Sequence, residues 1–263
     1  MNVQGRRVLV TGASRGIGEA LARTFAGAGA RVALVARGER AIKELALELD
    51  GEAFAADLTD QDQLGRLIER VEAEAGPIDV LINNAGNELC GYFPSQSPTD
   101  IDATVRLNLL APIQLTRQVV PRMIERGTGH IVQISSVADM VTGSGLTVYG
   151  ATKAGLTHFT NGLRHELKGL NVRTTVVEVG TVPGEMVDRL YEYAPMKRIV
   201  RRLNRLQLVA DVPVEKLAPA VLDGVRRDRR FVQLPKRNVP LHLLAHAPQL
   251  IYERALMGVR TRD

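Results

Sequence analysis

At 263 residues, with 45% hydrophobic residues, 24% charged residues and one cysteine, the chain suits a single large folded domain. This balance excludes a mainly disordered chain, and Cys90, with no second cysteine to pair with, excludes a disulfide-stapled secreted fold. The net charge of +5 and pI near 9.6 arise unevenly, since Met196 to Arg237 holds 12 basic against 4 acidic residues. Without aromatic residues interleaved among the cations, that stretch does not read as a nucleic-acid surface. It reads as a solvated basic face or as a surface for an anionic partner. The start, MNVQGRRVLVTG, lacks the apolar core of a secretory leader, and no run reaches the roughly 18 apolar residues of a spanning helix. A cytoplasmic protein is expected.

In chain order, short apolar runs at Arg7–Thr11, Arg31–Ala36, Ala53–Ala56, Asp79–Asn83, His130–Ser135 and Val172–Val177 read as strands buried on both faces. Helical patterns alternate with them at Gly16–Ala28, Glu39–Leu49, Asp60–Ala75, Thr99–Arg126 (with a potential break at Pro112) and Tyr149–Leu170. Strand and helix in alternation predict an α/β fold: a doubly wound, mostly parallel Rossmann-type sheet with helices on both faces, in one domain spanning 1–263. After Val177 the rhythm changes. Glu185–Leu208 reads as one or two amphipathic helices, Val214–Arg226 as another and Phe231–Leu234 as a short strand; Val239–Val259 reads as a helix interrupted near Pro248.

Thr11–Gly18 reads TGASRGIG, directly after the first strand and opening the first helix. Gly12 and Gly16 allow conformations and close approaches that a Cβ would obstruct, and Gly18 lets the helix sit close to the sheet. Free N–H groups at the helix start suit a pyrophosphate. Strand, glycine turn and helix together form the context of a dinucleotide site, although Gly-x-x-x-Gly-x-Gly departs from the commoner Gly-x-Gly-x-x-Gly.

Later motifs agree in order and spacing: Asp57-Leu58 in AADLTD, Asn83-Asn84-Ala85-Gly86, Asn108 in RLNLLAP, Ser135-Ser136 in IVQISS, and Tyr149 to Lys153 as YGATK. Over roughly Gly5 to Met186 the chain resembles the short-chain dehydrogenase/reductase family. The resemblance implies a dinucleotide held by Gly12, Ser14, Arg15, Gly16, Ile17 and Gly18, with Asp57 and Leu58 near the adenine. It further implies cofactor contacts from Asn84, Ala85, Gly86, Tyr149, Lys153, Gly180 and Val182. Catalysis would fall to Asn108, Ser136, Tyr149 and Lys153, Asn108 helping to hold a water in a proton relay. A homodimer or homotetramer is implied too, through Thr99–Arg126 and Tyr149–Leu170.

The chemistry follows from residue type. Tyr149 and Lys153 are four apart and share a helix face. A nearby ammonium favours the phenolate, lowering a pKa ordinarily near 10, so Lys153 is expected to tune Tyr149 and to bond the nicotinamide ribose. Ser136 would donate to the substrate oxygen as charge develops. The second strand ends in Ala36 rather than an aspartate that would repel a 2′-phosphate, and Arg37 and Arg15 stand where guanidiniums would bind one, so NADP(H) is the expected cofactor.

After the sixth strand the segment reads EVGTVPGEM, where the family usually has Pro-Gly followed by a Thr four residues beyond the Gly. Gly184 replaces that Thr, Thr181 stands near enough to compensate, and the backbone of Val182 remains available to grip the carboxamide. Residues 185–210 are expected to form a substrate lid and 238–263 a helical extension. Apolar positions in the lid suggest a hydrophobic alcohol or ketone substrate, or packing alone, while its basic side suits peripheral contact with an anionic membrane. His242 and His246 lack supporting ligands for a metal. The expected activity is NADP(H)-dependent oxidation and reduction of a hydrophobic alcohol/carbonyl pair. The alternative is a non-catalytic regulatory or scaffold protein of the same fold.

Overall fold

The computed structural model describes residues 1–141, 143–205, 211–236, 239–240, 242–245 and 247. Seven strands form one sheet: β1 (Arg7–Thr11), β2 (Arg31–Ala36), β3 (Glu52–Ala55), β4 (Val80–Asn83), β5 (Gly129–Ile134), β6 (Val172–Val179) and β7 (Phe231–Leu234). Their order is β3-β2-β1-β4-β5-β6-β7, and every neighbouring pair is parallel. The helices are α1 (Gly16–Gly27), α2 (Glu39–Glu48), α3 (Gln61–Ala75), α4 (Pro98–Val105), α5 (Ala111–Glu125), α6 (Thr147–Glu166), α7 (Glu185–Glu192), α8 (Ala194–Arg205) and α9 (Val214–Arg226).

Alternation along each strand divides the core in two. Val8, Val10 and Ile82 face one way and meet Leu21 and Phe25 of α1, Ile42 of α2 and Val221 of α9. Leu9 and Leu81 face the other way, onto Leu64 and Ile68 of α3 and Leu115 and Met123 of α5. Burial on both faces explains why these strands read as continuous apolar runs. Asp60 starts α3 by accepting from the Asp62 and Gln63 amides, and Ser97 starts α4 by accepting from the Asp100 amide at 3.0 Å.

The structure differs from the sequence reading in one place, between the fourth and fifth strands. The expected helix at Thr99–Arg126 is α4 and α5 joined by a wide π-type turn at Arg106–Leu110. Pro112 has no N–H to offer the Asn108 carbonyl four residues back, so the regular ladder fails just before it. The segment from Glu185 forms two helices, α7 and α8, and the part of the expected lid at 206–210 lies outside the described residues. Most of the expected C-terminal helix lies outside them as well, His246 included; His242–Ala245 are helical.

His242 is nearly buried, with Nδ1 2.8 Å from Glu178 Oε2 and its ring edge-on to Phe231. Glu178 also accepts from Gln233 Nε2 at 2.8 Å, so β6, β7 and the last described helical turn meet at one buried carboxylate. In β5, His130 is fully buried, with Nε2 2.8 Å from the Thr175 hydroxyl of β6. The strand order reverses between β1 and β4, and the crevice beyond their carboxyl ends is where an open parallel sheet takes a ligand.

Candidate active site

The loop after β1 lies on one side of that crevice and is held to β4 by neutral hydrogen bonds. The Thr11 hydroxyl accepts from the Asn84 and Ala85 amides at 3.0 Å each, and Asn84 Nδ2 donates to the carbonyls of Thr11 and Gly12 at 2.9 and 3.2 Å. Gly12 (φ +66°) lies so close that a Cβ there would meet the Ala85 Cα at 2.8 Å, and one on Gly18 would meet the Gly12 carbonyl at 2.1 Å. Gly16 (φ +58°) opens α1 onto free space. The turn is therefore packed tightly on its protein side and bare at the helix N-terminus, which fits a dinucleotide pyrophosphate.

Around the turn, Ser14 is half-buried, Ile17 packs against the core and Arg15 is exposed, forming an ion pair with Glu185 at the start of α7. Arg37 is exposed immediately after β2, whose Val35 carbonyl accepts from the Ala13 amide at 3.1 Å. Arg37 thus directly follows the strand that holds the turn. Asp57 accepts from the Thr59 amide and hydroxyl at 2.9 and 2.7 Å. The Leu58 side chain is buried in the core against α3, with its backbone left for a cofactor contact.

The loops after β4 and β5 bring the other residues together. Asn108, buried in the wide turn between α4 and α5, clamps the Asn87 backbone, accepting from its amide at 2.9 Å and donating to its carbonyl at 2.7 Å. A Cβ on Gly86 would meet Asn108 Oδ1 at 3.0 Å and Lys153 Nζ at 3.7 Å, which puts the NNAG bend directly against the lysine. Ser136 follows β5; its hydroxyl accepts from the Ala138 amide at 3.2 Å and lies near enough to the Tyr149 phenol to lower its pKa. Lys153, one turn beyond Tyr149 on α6, lies with Nζ 5.7 Å from the phenol ring centre.

Lys153 Nζ donates to the Ile134 carbonyl at 2.9 Å, tying α6 to the end of β5. Burial pushes the Tyr149 phenol up to about 12, against the lowering by nearby Ser136, with Glu88 and Asp139 raising it further. Burial pulls the Lys153 ammonium down to about 8, opposed by the Asp139 carboxylate. Desolvation therefore outweighs pairing, and the phenol holds its proton at neutral pH.

The sequence reading missed Glu88, Asp139 and Arg189. Glu88 lies two residues beyond Gly86, its side chain only 5% exposed, and its carboxylate takes a hydrogen bond from Arg189 of α7 at 2.7 Å. Asp139 accepts from the hydroxyls of Ser135 and Thr157 at 3.0 and 2.5 Å, just behind Ser136. The one signal was a lone carboxylate in the otherwise uncharged stretch NELCGYF. Burial raises the Cys90 thiol, helped by Glu88.

After β6 the Gly180 amide donates to the Leu234 carbonyl at 2.8 Å, which leaves the half-buried Val182 beyond the strand. The Thr181 hydroxyl donates to Asp211 at 2.8 Å. Gly184 has φ +148° and ψ 179°, a glycine conformation, and starts α7 by accepting from Val187 and Asp188. Its value lies in backbone freedom, not in a missing hydroxyl. Among the described residues no cluster of His, Cys, Asp and Glu could hold a metal ion.

A parallel sheet with a glycine turn at its crossover and a Ser–Tyr–Lys group beside it defines a dinucleotide-dependent oxidoreductase. The model of the short chain dehydrogenase family matches residues 6–194. The chain is 41% identical over 183 residues to the ketoacyl reductase HetN of Nostoc, covering 68% of this chain and 64% of that protein. It is 33% identical over 227 residues to the 3-oxoacyl-[acyl-carrier-protein] reductase FabG of Thermotoga maritima, covering 84% and 91%. A short-chain dehydrogenase from Sphingobium yanoikuyae solved in complex with NADPH superposes with a TM-score of 0.79 at 29% identity, over 98% of each chain. The chain belongs to the short-chain dehydrogenase family of oxidoreductases.

Proposed function

We propose that the protein is an NADP(H)-dependent reductase of hydrophobic carbonyl compounds, with Tyr149 as the acid. The observation that carries this reading is the half-buried Tyr149 phenol, with Lys153 Nζ 5.7 Å from its ring centre on the same helix face and Ser136 close enough to lower its pKa. Gly12, Gly16, Gly18 and the start of α1 hold the pyrophosphate; Asn84, Ala85, Gly86, Gly180, Val182 and Lys153 hold the nicotinamide half. The bound nicotinamide supplies the hydride.

Tyr149 gives its Oη proton to the carbonyl oxygen, and Ser136 donates a second hydrogen bond to that oxygen as its charge grows. Asn108 holds the Asn87 backbone and with it the bend beneath Lys153. Lys153 fixes the end of β5 and supplies the positive charge that steadies the phenolate left behind. In the reverse direction the phenolate would take the alcohol proton. Around the cleft, Gly145 packs on Tyr193 and lies near Cys90, and Gly143 packs near Met196, so the walls suit an apolar substrate.

Arg15 and Arg37 support preference for the phosphorylated cofactor through charge-assisted bonds to a 2′-phosphate. Consumption of NADPH, followed by absorbance with a panel of aliphatic and cyclic ketones, tests the proposal. NADPH binding with no turnover on any member would favour a cofactor-binding regulatory protein. In Arg37→Asp the Michaelis constant for NADPH should rise at least tenfold while that for NADH changes little; equal effects on both would remove Arg37 from the site.

A further inference from the structure

The last described third carries a charge the redox chemistry does not use. Every cation of α8, namely Lys197, Arg198, Arg201, Arg202 and Arg205, is exposed, and the helix contains no acid. Among the described residues no carboxylate forms an ion pair with any of them. Lys197, Arg201 and Arg205 recur every four residues and form one row of like charges, an arrangement that works against an isolated helix. Met196 and Val200 on the buried side hold α8 to the body of the protein.

Beside this row lies an open groove of ≈ 500 Å³ lined by Tyr191, Lys197, Val200, Arg201 and Arg205. Its floor is apolar and its edge is cationic, which fits the junction of an acyl chain and a negatively charged headgroup. The neighbouring rim is apolar as well. Tyr92, Phe93 and Val141 are 64%, 52% and 47% exposed. The Gly91 amide donates to the Gly145 carbonyl at 3.0 Å, and Gly145 and Gly143 abut Tyr193 and Met196, so these loops and the start of α8 form one continuous edge of the cleft.

We propose that this edge rests on an anionic lipid bilayer, with the α8 cations at the headgroups and Phe93, Tyr92 and Val141 among the upper acyl chains. Aromatic and aliphatic side chains beside a basic row suit a lipid interface. An acidic protein would complement the cations but leave the three apolar side chains unexplained. Among the described residues no helix is long and apolar enough to cross a membrane, so the contact is peripheral. Its consequence for the site is direct: a hydrophobic substrate would reach Tyr149 from the membrane side.

Co-sedimentation of the full chain with vesicles, at low and at 0.5 M salt, tests this. Binding is expected to phosphatidylglycerol/phosphatidylcholine vesicles at low salt and not to phosphatidylcholine alone, weakening steeply with salt. The combined Lys197→Glu, Arg201→Glu and Arg205→Glu variant should bind at least tenfold more weakly, and Phe93→Ser several-fold more weakly. The control Arg66→Glu, on α3, should bind as the native chain does. NADPH binding and a thermal melt report whether each variant is folded; if the triple variant is not, Arg201→Gln takes its place. No binding to anionic vesicles, or equal binding by native and row variants, would overturn the proposal. Full competition by inorganic phosphate at matched ionic strength would overturn it in favour of a soluble anion. Polyglutamate binding as tight as vesicle binding and unaffected by Phe93→Ser would overturn it in favour of an acidic protein. None of these measurements requires turnover, so their failure leaves the oxidoreductase reading intact.

Discussion

The two sides of the crevice are built on different physics. The glycine turn after β1 is held by shape and by neutral groups: Thr11 and Asn84 bond backbone atoms, and missing Cβ atoms let Gly12 and Gly18 approach what they pack against. The loops after β4 and β5 instead concentrate buried charge, with Glu88, Asp139 and Lys153 surrounding one phenol. The first side should be intolerant of added volume and indifferent to pH. The second should tolerate small changes of volume and respond sharply to changes of charge.

Substitutions can break that contrast, beginning with the largest effect. Tyr149→Phe removes one oxygen and almost no volume, so kcat should fall by about 10²–10⁴-fold while the NADPH dissociation constant, read by fluorescence, changes little. Retained turnover would mean that another acid serves. Gly18→Ala adds a single methyl, yet its Cβ would fall 2.1 Å from a carbonyl that cannot move without the turn. NADPH binding should weaken at least tenfold, with a loss of about 1–3 kcal/mol in stability from overpacking. Normal binding would show that the turn yields more easily than its packing implies.

Glu88→Gln sharpens the contrast from the charged side. The Glu88 carboxylate raises the Tyr149 pKa, so removing it should move the alkaline limb of carbonyl reduction, and the rising limb of alcohol oxidation, to lower pH. The KM for NADPH should stay within about twofold, because the glycine turn is untouched. Unmoved pH limbs would confine Glu88 to tethering Arg189.

The parts legible in the sequence share one property: their meaning lies in residue type at fixed spacing. A strand, a glycine turn and a helix start occupy adjacent positions, and Tyr149 and Lys153 meet because one helical turn separates them. The break between α4 and α5 was half legible, since Pro112 marks the region while the wide turn itself precedes it. Glu88, Asp139 and Arg189 could not be read this way. Glu88 meets Arg189 across 101 positions, and Asp139 matters only because α6 folds back over the loop carrying it. The burial of Leu58 was illegible for the same reason: its neighbour Asp57 belongs to a motif, but its own side chain answers to the packing of α3. The role of His242 depends on Glu178, 64 residues away.

One residue remote from the crevice bears on how the whole molecule meets acid. His130 is enclosed between β5 and β6, and burial holds its imidazole down to about 3. Released from the fold, the ring would take a proton near its ordinary value of about 6.5. Above that value both states are neutral there and full stability is present. As pH falls below it, the unfolded chain gains a proton that the native sheet refuses, and stability from this ring drains away at up to about 1.4 kcal/mol per pH unit until its folded value is reached. Denaturant melts of His130→Gln should show a shallower decline between pH 6 and pH 4 than the native chain. A histidine walled into the sheet thus fixes an acidic boundary for the fold, well away from the groups that carry the chemistry.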